Sequence, residues 1–219
     1  MQLKRRTFWA WTLFVIIISS LMTVLSYHLF VFNTFSTKGE SQAFRDIGAA
    51  QAAQSPIKTP NSIIEVMSYG CHYCAMNEAN IAAFRQSLPR ETSFKVIHVA
   101  GSGGLATWAP IFATLEEMGL EKRLRDNAYY TIITQNQNLN DPLLLDGWLR
   151  ANNVDVARYH EVSASAAVQQ RLSDMKAITR YYDINATPMF IINGRYVVAQ
   201  DADFPEFSKR MLELLEKRD

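Results

Sequence analysis

Cysteine is scarce in this chain of 219 residues: there are two, Cys71 and Cys74. That scarcity excludes a disulfide-stapled scaffold. Without a second pair it also argues against a structural zinc site, which needs three or four ligands. Histidine is sparse as well, and His28, His72, His98 and His160 show no ligand spacing. No metal is expected. Charge is nearly balanced, with a formal net charge of +1. Neither a nucleic-acid surface nor an acidic tail is indicated. No internal repeat is visible. Apolar residues at 48% and charged residues at 20% fit an ordinary folded domain.

Formal charge is also missing from Thr7 to Thr37, directly after Lys4, Arg5 and Arg6. The apolar heart of this run is Phe8 to Phe32. About 20 such residues cross a bilayer as a helix. The run outlasts the roughly 7–15 apolar residues of a cleavable signal. Small residues suited to cleavage first come around Ala49 to Ala53. A retained signal anchor is therefore expected over 1–35. Trp9, Trp11 and Tyr27 suit the two interfaces, and the basic cluster keeps the N-terminus cytoplasmic. Residues 38–219 then lie on the far side of the membrane, in the bacterial periplasm or an equivalent compartment. Residues 36–60 are polar, Ala-rich and broken by Pro56 and Pro60. They read as a linker or stalk with a short helix at most over 42–54.

The remaining chain, 61–219, reads as one α/β domain. Ser62–Ser68 is a buried-strand candidate. Cys74–Leu88 has helical spacing, with Met76, Ile81 and Phe84 expected inside. Ser93–Val99 is a second strand. Residues 106–182 are helical throughout, with Asp141-Pro142 and Asp155 as helix starts. Met189–Ile192 and Tyr196–Val198 flank Asn193-Gly194, a pair that favours a type I′ hairpin. A helix over 205–216 closes the chain. The order is strand, helix, strand, large helical insertion, hairpin, helix.

Cys71 and Cys74 are separated by His72 and Tyr73. The spacing puts Cys71 at a helix N-terminus, where free N–H groups favour a thiolate. Cys74, one turn on, can resolve a mixed disulfide at Cys71. A disulfide this short closes almost no loop, so it is a poor brace and suits redox work. His72, when protonated, would favour the Cys71 thiolate further; alternatively it is an idle exposed residue. Glu65 interrupts an apolar strand six residues before Cys71. Either it faces outward, or it is buried as a proton acceptor for Cys74. His98 reads as a packed histidine. Thr187-Pro188, just before a strand, is a candidate cis-proline site beside which an extended substrate can pair.

These segments resemble the DsbA-type periplasmic disulfide oxidoreductases. The resemblance covers about residues 60–217 and is carried by IIEVMSYGCHYC, KVIHVAGSGG and NATPMFIINGRYVV. It implies a thioredoxin fold interrupted by a helical domain, with the site at their junction. Cys71 is then the nucleophile, Cys74 its buried partner and Glu65 the acid below them. Pro188 is the cis-proline, with Thr187 before it. His98 falls where the family often has histidine. The cysteine pair itself is the redox group, with no further cofactor. Substrates are exported proteins with free thiols, and a DsbB-type quinone-linked membrane oxidase restores the disulfide. Two positions depart from strong oxidases, which typically read Cys-Pro-His-Cys. Tyr73 before the second cysteine and Thr187 before the proline look more like the isomerase branch. Oxidase is the first reading, and isomerase or reductase the alternative. A non-catalytic tethered binding factor is a third, and it would survive loss of both cysteines.

Overall fold

A computed structural model describes residues 2–27 and 44–217. His28, residues 36–43 of the expected stalk and the end of the apolar run to Phe32 lie outside them. Two units separate by contact, 1–42 and 43–219. The first contributes helix α1 (Gln2–Ser26), of which Phe8–Ser26 forms an apolar stretch of 19 residues with none of it buried. An apolar helix exposed on every side is suited to lipid.

The second unit is built on a five-stranded sheet. Its strands are β1 (Arg45–Asp46), β2 (Ser62–Met67), β3 (Ser93–His98), β4 (Met189–Ile192) and β5 (Tyr196–Ala199). They lie in the order β1-β5-β4-β2-β3, with β2 and β3 parallel and the other pairs antiparallel. Helix α2 (Ala49–Gln54) follows β1, α3 (His72–Ser87) links β2 to β3, and α9 (Phe204–Glu216) ends the described chain. Between β3 and β4 run α4 (Ala109–Glu117), α5 (Glu121–Tyr129), α6 (Pro142–Ala151), α7 (Val156–Ser163) and α8 (Ala166–Tyr181). A π-helical turn, Tyr130–Thr134, extends α5.

Every residue of β2 is buried, as befits a strand covered on both faces. Ile63 joins Ile81 and Phe84 of α3 and Phe207 and Met211 of α9 on one side. Ile64 and Val66 join Phe112 and Leu115 of α4 on the other. The apolar positions of α3 that turn inward are thus Cys74, Ile81 and Phe84. Met76, expected inside, is 64% exposed. At about 100° per residue it sits some 200° round from Cys74, on the opposite face.

Asp141, Asp155, Ser165 and Asp203 each accept backbone N–H groups at the start of their helices. Asn193 and Gly194 have φ of 54° and 64°, the left-handed pair that a type I′ turn requires. A Cβ on Gly194 would also meet the Ile57 carbonyl at 3.0 Å.

The segment expected as a stalk is not free throughout. Arg45 and Asp46 pair with Val197 and Tyr196. Asp46 takes a two-pronged contact from Arg195 at 2.8 and 2.9 Å, which holds its carboxyl below the usual range. Ser55 and Ile57 are buried, and Ser55 Oγ bonds the Tyr182 hydroxyl. Residues 45–57 therefore belong to the packed domain.

Candidate active site

β2 delivers the chain through Ser68, Tyr69 and Gly70 to Cys71. Gly70 is required by its neighbour: a Cβ there would stand 2.3 Å from the Trp108 ring. Cys71 caps α3, and its Sγ accepts the Cys74 N–H at 3.1 Å. The two cysteines are joined as a disulfide with Cα atoms 5.2 Å apart. Cys71 is 5% exposed and Cys74 is fully buried, so Cys71 is the outer of the two. When the disulfide is reduced, a Cys71 thiolate would face the N–H groups and positive end of α3.

Thr187 and Pro188 reach the same place from the far end of the chain. Their peptide bond is cis, and the Thr187 carbonyl oxygen lies 3.2 Å from Cys71 Sγ. His72 and Tyr73 are both exposed on the first turn of α3, their rings edge to face. Tyr73 at 69% and Met76 at 64% exposure leave two apolar side chains in solvent on the first turns of this helix.

Glu65 faces inward. It is fully buried in the ladder between Phe190 of β4 and Val96 of β3. Neither carboxylate oxygen has a hydrogen-bond partner, so no such bond joins it to Cys74. Burial, helped by the nearby Glu78, pushes its pKa up to about 8. At neutral pH it is a carboxylic acid that can give up a proton.

His98 has a different place. It is fully buried; its Nε2 accepts the Tyr69 N–H at 3.1 Å, and Nδ1–H donates to the Val99 carbonyl at 2.7 Å. Both ring nitrogens are thereby occupied in the neutral form. Burial lowers its pKa to about 4. His98 braces the segment before Cys71 and stays uncharged.

Sequence reasoning missed two features. One is Trp108, which covers Gly70. The other is a buried polar cluster in which Arg125 binds Glu121 and Glu78, while the Tyr69 hydroxyl donates to Glu121 at 3.1 Å. Glu121 and Arg125, four apart on a polar helix, read locally as an ordinary surface pair.

Comparison with known proteins gives this geometry its relatives. The profile of the DSBA-like thioredoxin domain matches residues 89–213, more than half of the chain. The chain belongs to this family. The matched stretch begins after the cysteine pair and includes the helical insertion and Thr187-Pro188. Among curated proteins, the thiol:disulfide interchange protein DsbA of Azotobacter vinelandii is 26% identical over 143 residues, 64% of this chain and 67% of that one. Its Bordetella pertussis namesake is 26% identical over 172 residues, 74% and 81% of the two chains. The crystal structure of Pseudomonas aeruginosa DsbA superimposes with a TM-score of 0.70 at 22% identity, covering 80% of this chain and 92% of that one. This last likeness speaks for the fold. The protein is a DsbA-like thiol:disulfide oxidoreductase whose redox group is the Cys71–Cys74 pair.

Proposed function

We propose that this protein introduces disulfides into exported proteins. The observation that carries the reading is the asymmetric disulfide at a helix N-terminus, with Cys71 outermost and Cys74 beneath it. A substrate thiolate attacks Cys71 Sγ. The Cys71–Cys74 bond breaks, and its electron pair leaves on Cys74, which takes a proton. Glu65 is the donor. A second substrate thiolate then attacks the mixed disulfide, and Cys71 departs as a thiolate stabilised by α3. The substrate dithiol has lost two electrons, and the enzyme is left as a dithiol.

Thr187 and Pro188 bind the extended substrate segment, with the Thr187 backbone as its pairing edge. Tyr73 and Met76 offer the apolar surface that an unfolded chain seeks. His72 and Tyr73 tune thiolate stability. A DsbB-type quinone-linked membrane protein reoxidises the pair. Residues 1–35 act as a cytoplasmic stub and single-pass inner-membrane anchor, and the catalytic domain works in the periplasm. The isomerase or reductase reading draws on Tyr73 and Thr187, and it differs in redox poise.

The test is oxidation of a reduced, unfolded dithiol protein by catalytic amounts of the full chain in detergent, with oxidised glutathione as the terminal oxidant. The expected result is catalysis by wild type and none by Cys71→Ser. Cys74→Ser should accumulate a mixed disulfide at Cys71. Undiminished activity in Cys71→Ser would defeat the reading and favour a binding factor.

A further inference from the structure

Arg125 of α5 is 7% exposed. It donates to both oxygens of Glu121 at 2.9 and 2.6 Å, and to Glu78 Oε1 of α3 at 3.0 Å. One guanidinium therefore serves two carboxylates, and Glu78 Oε2 is left without a hydrogen bond. The charged groups that act on Glu65 are Glu78 and Arg85 of α3 and Glu121 and Arg125 of α5; Tyr129, also of α5, feels the Glu65 charge in turn. A groove of about 270 Å³ opens beside this cluster. Glu78, Arg85, Arg125 and Val96 line it, and Val96 is the residue paired with Glu65 across the sheet.

We propose that Arg125 is a positioning residue for the redox reaction: from the helical insertion it balances Glu78 and Glu121, so that Glu65 can release its proton to Cys74. The inference rests on the donor role of Glu65 given above. When the Cys71–Cys74 bond breaks, the electron pair on Cys74 takes the Glu65 proton. Glu65 becomes a third carboxylate in the cluster. Arg125 makes that anion tolerable, and the groove returns a proton from solvent. The insertion thus takes part in the chemistry of a disulfide it does not carry.

The test follows the rate at which an aromatic thiol, already ionised at neutral pH, reduces the disulfide of the full chain in detergent. Rates are taken across the neutral and alkaline range. The wild-type rate should fall through a midpoint near 8, as Glu65 loses its proton. Arg125→Met should raise that midpoint by about one pH unit, a roughly tenfold tighter hold on the proton. Arg125→Lys should leave it near wild type. If Arg125→Met folds poorly, Glu121→Gln, which leaves Arg125 one carboxylate fewer to balance, should lower the midpoint instead; a midpoint unmoved there overturns the inference. A midpoint that vanishes in Glu65→Gln but stays near 8 in Arg125→Met overturns this inference and leaves the Glu65 role standing. A Glu65→Gln profile identical to wild type overturns both.

Discussion

At the scale of single residues, two buried titratable groups give stability a pH profile with opposing slopes. Glu65 moves from its ordinary 4.5 up to about 8 on folding. The folded state then binds the extra proton, so stability is lost as pH rises through that window. His98 moves from 6.5 down to about 4. The unfolded state binds its extra proton, so stability is lost as pH falls through 6.5 towards 4. Between 4.5 and 6.5 the slopes offset, and above 6.5 the Glu65 decline remains. Glu65→Gln should remove that decline, leaving the variant more stable than wild type at alkaline pH by of order a few kcal/mol. Urea midpoints of the two proteins across this range check it, and parallel profiles would refute it. Gly70→Ala is the steric counterpart. Its new methyl falls 2.3 Å from the Trp108 ring, and overpacking of this kind costs about 1–3 kcal/mol. The same denaturation measurement should show it.

At the scale of elements, most of the architecture was legible because its signals are local. Asn193-Gly194 declares a hairpin, Asp141-Pro142 and Asp155 declare helix starts, and the two cysteines mark the helix that carries them. Asp203, which caps α9, behaves the same way: it accepts the Glu206 N–H at 3.0 Å. Asp203→Ala should cost about 1 kcal/mol, read as a lowered urea midpoint with the disulfide intact. The illegible elements depend on distant partners. β1 has two residues, and it is β5, far along the chain, that gives them a strand to join. Glu121 and Arg125 become a buried cluster because α3 packs over them with Glu78. Local spacing misjudged Met76, since an apolar residue between two inward positions need not share their face. Glu65 was the reverse case: the sequence left its direction open, and full coverage of β2 decides it.

At the scale of the whole molecule, two ends of the domain meet at one disulfide. The β2–α3 segment brings Cys71, the segment before β4 brings the Thr187 carbonyl, and the helical insertion contributes Trp108 over Gly70. The candidate site was readable because its parts are short motifs, CHYC and TP, each placed beside a strand or helix that the local pattern also gives. Its electrostatic setting was not, because burial alone turns Glu65 into an acid at neutral pH. Redox direction is a property of this assembled environment. The equilibrium of the Cys71–Cys74 pair in glutathione buffers therefore tests the account most directly. We expect a reduction potential near about −120 mV, as for strong oxidases, with Cys71 stabilised as a thiolate. A value near about −200 mV or below would contradict disulfide introduction and assign the protein to isomerase or reductase work.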